Sequence, residues 1–396
     1  MIEIHNIRVN NFKSLDEFEI GFSNFTCLIG LNSAGKSTIL QAINFVSQQM
    51  YGNLTEWLDD RKWAAKELKS KLIDRRLITV TVDFTYKGDL YVWVFNFNTV
   101  LKRCTYEVIT TMQDYVIREI FKVKDSKYMI RDLENQKKSQ DNIRQGDIIQ
   151  DYEGSFLSSL KDEFLPEPIC EFKKYIQNIY SLDLLSPQEL RKRSRVGSKL
   201  GLSGENISAF LNTFSKEQQK EILDQLKKCY PNLEALDVKK SKGGWSRIEL
   251  VEKFGEKKIT NEGKYLNDGV LRLIAILAQL QSQKSFLLFD EIENGINAEL
   301  IEFLMDTLIA SKHQVMITTH SPMILNYIED DIAKKSIKYI YKTKEGFTKS
   351  IPLFDIPSMS EKLEMMGAGS AYVDIDLSQL YSEIQELEKA KVQEKK

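Results

Sequence analysis

An eight-residue run, Gly30-Leu31-Asn32-Ser33-Ala34-Gly35-Lys36-Ser37, constrains this chain more than any other stretch. Its spacing is G-x-x-x-x-G-K-S. It follows an apolar run from Phe25 to Ile29 and opens a helical pattern from about Lys36 to Gln49, with Ile39, Leu40, Ile43 and Val46 on one face. A strand, a glycine-bearing turn and a helix in this order make a phosphate cradle. Gly30 and Gly35 permit the tight turn, successive backbone N–H groups converge on phosphate oxygens, and the helix N-terminus adds a favourable dipole. The spacing places Lys36 to bridge the β- and γ-phosphates of ATP and Ser37 to coordinate Mg²⁺. Asn32, Ser33, Ala34 and Thr38 complete the ATP-binding run. The competing reading of the motif alone is a strand-to-helix turn that matches by chance.

The second half of the chain bears on that choice. Phe286-Leu287-Leu288-Phe289-Asp290-Glu291 reads as a buried strand that delivers two adjacent carboxylates at its C-terminal end. Neighbouring carboxylates repel unless a cation or water network shares them. Asp290 is placed to hold Mg²⁺ through water, and Glu291 to polarise the attacking water. A second apolar run, VMIT, ends at Thr318 and leads to Thr319-His320-Ser321-Pro322, where a histidine can hydrogen-bond a γ-phosphate. His320 alone reads as a capping or core histidine. With the other two motifs in this order, Lys36, Glu291 and His320 read as the catalytic residues.

In this combination the chain resembles the ATPase heads of the ABC/SMC superfamily, and RecF- and OLD-like bacterial AAA-type ATPases more closely than transporters. The resemblance implies an α/β P-loop NTPase fold of ABC type: a mixed central sheet, an antiparallel β meander and an α-helical subdomain. Val9-Asn10-Asn11-Phe12-Lys13-Ser14-Leu15 looks like the start of that group, where a basic residue, here Lys13, approaches the nucleotide. Leu266-Asn267-Asp268-Gly269-Val270 resembles the signature motif, whose loop reaches across a dimer to the partner's γ-phosphate; Asn267 and Gly269 would contact ATP there. Asn267 stands where a serine is usual, and its bulkier amide implies slower cross-dimer catalysis. Glu293-Asn294-Gly295 resembles the D-loop. Ser186-Pro187-Gln188-Glu189-Leu190 occupies the place of the Q-loop, which makes Gln188 a candidate for Mg²⁺ or water contact, or equally an ordinary N-terminal helix residue. Gly201 to Leu211 looks like the helical subdomain, and the resemblance runs to about residue 350.

Composition narrows the remaining choices. Fifty-five Lys and Arg against 57 Asp and Glu leave a net charge of −2, so nucleic-acid contact requires a local patch. The four cysteines, Cys27, Cys104, Cys170 and Cys229, are too scattered for a zinc knuckle or disulfide framework. Three histidines are too few for a His-rich metal or HNH-type nuclease site. The N-terminus is no signal peptide, and no apolar run reaches the roughly 18 residues of a membrane span, so a reduced cytoplasm is expected. Residues Leu77 to about Arg131 predict an antiparallel meander with a hairpin turn at Lys87-Gly88-Asp89. Asp132 to Gly154 reads as a polar loop or mobile helix, Tyr180 to Leu185 as a short strand, and Pro187 to about Tyr230 as helical. The expected divisions are 1–185 (first part of ATPase lobe I), 186–284 (helical subdomain with signature loop), 285–350 (second part of lobe I, with the Walker B, D- and H-loops) and 351–396 (helical tail).

Several parts of the family's larger machines are not visible. The chain shows no heptad arm and no strict LSGGQ, and the residues after His320 are too few for a Toprim domain. Asp374-Ile375-Asp376 mimics a metal-binding D-x-D but reads better as a solvated loop. The expectation is an ATP-dependent homodimer that sandwiches two ATP molecules and serves as sensor or regulatory subunit of an anti-phage defence system, with a separate effector nuclease or toxin. One rival is a RecF-like DNA-repair ATPase, which would meet DNA through Arg191, Lys192, Arg193, Arg195 and Lys199. That cluster reads alternatively as a solvated face paired with carboxylates. Another rival is an ATP-locked scaffold with little hydrolysis. The tail helix, with Leu377, Leu380, Ile384 and Leu387 at helical spacing, is expected to fold back on its own domain rather than dock on a partner.

Overall fold

The computed structural model describes residues 2–113, 115–132, 142–182, 185–195, 197 and 199–394. Contacts divide the chain into two compact units, Met1–Tyr180 with Asp330–Lys396, and Ser181–Glu329.

The first unit opens with β1 (Ile2–Asn10), β2 (Phe18–Gly21) and β3 (Phe25–Ile29), followed by α1 (Lys36–Gln48) and α2 (Leu54–Asp60). The predicted meander follows as β4 (Leu77–Tyr86), β5 (Asp89–Asn98), β6 (Arg103–Gln113), β7 (Val116–Lys124) and β8 (Lys127–Asp132). Lys87 and Gly88 both adopt positive φ (52° and 94°), as the tight β4–β5 turn requires. Ile2, Ile4, Ile7 and Val9 break strict alternation, yet all four are buried. A register shift between Ile4 and Asn6, where β1 pairs with β4, absorbs His5 and restores the apolar face.

The polar stretch expected to be loop or helix contains another strand, β9 (Asn142–Asp147), paired antiparallel with β8; residues 133–141 lie outside the described ones. The eight strands run β2-β1-β4-β5-β6-β7-β8-β9, so β9 is an edge. An edge strand needs backbone partners on one side only and is safer with polar side chains, which is why hydropathy did not mark it. The apolar face of the sheet stacks Phe84 on Phe172 of α3 (Glu167–Gln177), ring centroids 3.8 Å apart, and sets Phe97 edge-on to Phe45 of α1 at 5.1 Å.

Glu107 of β6 lies wholly inside this packing. Its carboxylate accepts hydrogen bonds from Ser155 Oγ at 2.6 Å and the Phe156 N–H at 2.7 Å. Burial pushes its pKa up to about 7, only partly offset by these two bonds. A raised folded pKa means stability that is full below the unfolded value near 4.5 and lost as pH climbs through about 7. Glu107→Gln keeps the shape without the charge. It should flatten the urea-unfolding free energy between pH 4.5 and 8, a window in which the wild type loses about 3 kcal/mol. Equal pH slopes in the two proteins would remove Glu107 as the source.

The second unit begins at the end of β10 (Tyr180–Ser181), far shorter than expected, with residues 183–184 outside the described ones. The stretch from Pro187 to about Tyr230, expected to be helical, holds three separate helices, α4 (Pro187–Leu190), α5 (Ile207–Leu211) and α6 (Lys216–Cys229). Between α4 and α5, Gly201 and Gly204 take φ of +86° and +85°, which ends any helix there. The stretch read as helical subdomain also holds an antiparallel sheet of β11 (Leu233–Lys240), β12 (Ser246–Phe254) and β13 (Lys257–Glu262). Leu236, Ile248 and Leu250 are buried while the intervening Lys and Glu residues keep the segment polar overall. Next come α7 (Asp268–Leu280), β14 (Phe286–Phe289), α8 (Ile301–Ile309) and β15 (Gln314–Thr318). β14 and β15 pair in parallel and are buried throughout, as their unbroken apolar runs predict.

The chain then completes the first unit with α9 (Asp330–Ser336), β16 (Ile337–Lys342), β17 (Thr348–Pro352), α10 (Pro357–Leu363), α11 (Ala368–Val373) and α12 (Leu377–Glu394). β16 pairs parallel with β3 and antiparallel with β17. The tail helix folds back: Leu380 and Ile384 are buried, and Tyr341 donates to Glu388 at 2.6 Å. Asp376 accepts the N–H groups of Ser378 and Gln379 and so caps α12, while Asp374 pairs with Lys362. Among the described residues no helix is long and apolar enough to cross a membrane.

Candidate functional site

In the first unit the P-loop leaves β3 and enters α1 through two positions no side chain could share. A Cβ on Gly30 would strike the Ile340 carbonyl of β16, and one on Gly35, at φ +110°, would strike the Thr348 side chain of β17. Ser33 is also left-handed, at φ 64°. Thr348 Oγ1 donates to the Ala34 carbonyl at 2.9 Å and shares a hydrogen bond with Ser14 Oγ at 2.8 Å. Leu31, Asn32, Ser33 and Ser37 are exposed, whereas Ala34 and Lys36 are buried. Among the described residues no acceptor meets the backbone N–H groups of Gly35, Ser37 and Thr38. That is the arrangement of a helix N-terminus able to take an anion. Lys36 curls over the same turn: its ammonium donates to the Gly30 carbonyl at 2.7 Å and to that of Leu31 at 3.2 Å.

Lys13 sits beside α1, in a left-handed backbone conformation at φ 49°. Its ammonium donates to Gln41 Oε1 at 2.8 Å and lies 3.4 Å from the Trp63 ring centroid. A cation–π contact and an amide thus hold it in place.

In the second unit, β14 ends at Asp290 and Glu291, and Thr318 at the end of β15 ties the two acids together. Its hydroxyl donates to Asp290 Oδ1 and accepts the Glu291 N–H at 2.9 Å. Glu291 is held at φ 46°, a strained conformation for a non-glycine residue and one that clusters at functional sites. Its carboxylate receives Asn294 Nδ2 and lies 3.3 Å from His320 Nε2. Glu293 accepts the N–H groups of His320 at 2.7 Å and Ser321 at 3.2 Å, fastening the loop after β15. Arg272 of α7 donates to the Asp290 and Glu291 carbonyls, each at 3.1 Å. Burial pushes the Arg272 guanidinium down from its usual value, and the carboxylates of Glu293, Glu291 and Asp290 pull it up. Two buried atoms here, Arg272 Nε and Glu293 Oε2, find no hydrogen-bond partner among the described residues. His313, by contrast, is a core residue: its ring bridges the Ser285 N–H and the Leu280 carbonyl.

The signature-like segment lies in this unit too. Asn267 caps α7, its Oδ1 accepting the Val270 N–H at 2.8 Å, which leaves its amide NH₂ to donate. Gly269 is buried against the Gly295 carbonyl, where a Cβ would come to 2.6 Å. Gln188 is exposed on the single turn of α4. Of the basic cluster, Arg191 pairs with Asp268, Lys192 with Glu189 and Arg193 with Glu262. Arg195 has no ion pair among the described residues.

No group of three or more His, Cys, Asp or Glu side chains that could hold a metal occurs among the described residues. The Ser37 hydroxyl in the first unit and the Asp290 carboxylate in the second are each oxygen donors of the kind Mg²⁺ takes.

The sequence family described as "AAA domain, putative AbiEii toxin, Type IV TA system" matches residues 25–326. The chain belongs to this AAA family. Its fold is that of the SMC heads. It is similar to the Smc head bound to the C-winged helix domain of ScpA, with a TM-score of 0.56 and 16% identity over 89% of this chain and 99% of that one. It is also similar to the Pyrococcus furiosus Smc head with an extended coiled coil bound to the C-terminal domain of ScpA, with a TM-score of 0.55 and 15% identity over 92% and 100%. No curated protein matches the sequence. This AAA-family chain therefore carries the fold of an Smc head domain.

Proposed function

We propose that this head binds ATP at its P-loop, dimerises on it and hydrolyses it. The observation that carries the chemistry is the Glu291 carboxylate, held in a strained turn between His320 and Asn294. A carboxylate so oriented can align and polarise water. Lys36 supplies positive charge to the phosphates, and the α7 N-terminus, capped by Asn267, would meet the phosphate of a second copy. Ser37 and Asp290 would hold Mg²⁺, which when bound neutralises phosphate charge; Gln188 and Lys13 are auxiliary contacts. The protein acts in the cytoplasm, without a membrane partner.

For biological role, a sensor or regulatory ATPase of a bacterial anti-phage system fits best. The family description, which names a putative AbiEii toxin and a Type IV TA system, supports a place in such a system; a separate effector nuclease or toxin is the partner in this reading. Solved Smc heads bound to ScpA domains support a head of this fold taking a protein partner. The DNA-repair reading is weakened because three cations of the basic cluster already face carboxylates.

Two measurements test this. ATP turnover per chain should rise with protein concentration and plateau, as a dimer requires; turnover independent of concentration rejects the dimer. Native mass spectrometry of the protein from its own host, with Mg²⁺ and ATP, should show a second polypeptide at fixed stoichiometry. An ATP-bound dimer carrying only nucleic acid transfers the reading to repair.

A further inference from the structure

The segment after α4, though several of its side chains are exposed, is tied to the signature loop. Arg191 donates to the Leu266 carbonyl at 3.0 Å and pairs with the Asp268 carboxylate. Two residues on, Arg193 reaches Glu262 at 3.3 Å. Ser194 exchanges backbone hydrogen bonds with Ser246 of β12, at 3.2 and 2.7 Å, and its hydroxyl accepts the Ala209 N–H. These bonds fix the path from the Q-loop-like α4 to the N-terminus of α7.

Asp268 makes that path consequential. It is the first residue of α7, between the cap Asn267 and the buried Gly269. A carboxylate there stabilises the helix through its dipole, but the same N-terminus is what a phosphate would approach, and an uncompensated carboxylate repels it. We propose that Arg191 is a positioning residue for the signature loop: it neutralises Asp268 and orients the Leu266–Gly269 turn so that the α7 N-terminus can accept a phosphate from a second copy. This rests on the ATP-dimer reading above. It takes Arg191 out of the nucleic-acid patch and gives it a role in dimerisation.

The test uses the full chain carrying Glu291→Gln, with Mg²⁺ and ATP, and follows dimerisation by sedimentation velocity. Arg191→Gln should raise the protein concentration for half-dimerisation about tenfold, and Arg191→Lys, which keeps the charge but not the fork, less. Adding Asp268→Asn to Arg191→Gln should restore it to within about twofold, because the repelling charge is gone. Binding of a fluorescent ATP analogue to dilute protein should not change, which locates the effect outside the P-loop.

A double variant no better than Arg191→Gln overturns the proposal, leaving Arg191 a purely structural strut, and unchanged dimerisation of Arg191→Gln does the same. Selective loss of salt-dependent duplex-DNA binding in Arg191→Gln also overturns it and returns the residue to a nucleic-acid surface. If the parent Glu291→Gln chain stays monomeric with ATP, the dimer reading fails, and this proposal fails with it.

Discussion

Replacing Glu291 by glutamine should lower ATP turnover by about 10²–10⁴-fold, the usual contribution of a positioned general base, while leaving ATP binding intact. The substitution is nearly isosteric. Asn294 can still donate to the glutamine carbonyl oxygen, so the left-handed turn at φ 46° keeps one of its ties. What disappears is the negative charge facing His320 at 3.3 Å and the basicity able to take a proton from water. Binding depends on different groups, the backbone and ammonium of the P-loop, so the variant should accumulate as an ATP-bound dimer. Single-turnover hydrolysis, paired with light scattering to give the mass in solution, checks both halves. Turnover that survives unchanged would mean Glu291 does no chemistry and would favour the ATP-locked scaffold. Slow turnover without a stable dimer would keep the catalytic role but reject the sandwich.

The parts of this molecule legible in its sequence are those where one residue type has one physical reason to be present. Gly30 and Gly35 are required because the Ile340 carbonyl and Thr348 leave no room for a Cβ. The runs FLLF and VMIT, short and without polar alternation, suit buried strands, and Phe286–Phe289 and Gln314–Thr318 are buried strands in the structure. The meander announced itself by alternation. Elements with little apolar patterning were missed: β9 is polar because it is an edge, β11 and β12 bury only a few apolar positions among many charged ones, and β13 buries none.

The support of the site was hidden for another reason. Thr318, Arg272, Glu293 and Thr348 each act through a pair of hydrogen bonds to atoms distant in sequence. The only local signal was their place beside recognised motifs, Arg272 five residues after Asn267 and Thr318 two before His320. The basic run from Arg191 was ambiguous in principle. Whether a cation meets phosphate or carboxylate depends on what the fold sets opposite it, and here the fold sets Asp268, Glu189 and Glu262 opposite three of them.

Lys36→Ala should abolish ATP binding at ordinary concentrations, weakening it by about 10²–10⁴-fold. The lysine ammonium already donates two hydrogen bonds to loop carbonyls, at 2.7 and 3.2 Å. Phosphate oxygens compete for the same protons and carry full charge, so each exchanged bond is charge-assisted and worth about 1.5–3 kcal/mol. Two such bonds give about 3–6 kcal/mol, and about 1.4 kcal/mol is a factor of ten. The loop itself should survive. Its turn is set by the positive-φ backbone of Gly30, Ser33 and Gly35 and by the Thr348 bond to Ala34. Loss of the two internal bonds should cost about 1 kcal/mol each, since water can reach the exposed Leu31 end. A melting curve therefore separates a folded, ATP-blind protein from an unfolded one. Lys36→Arg adds a further control: the planar guanidinium keeps the charge but cannot follow the buried path of the lysine stem, and should bind ATP poorly despite its charge. Normal ATP affinity in Lys36→Ala would remove the phosphate site from this loop, and the assignments that depend on it would have to be rebuilt.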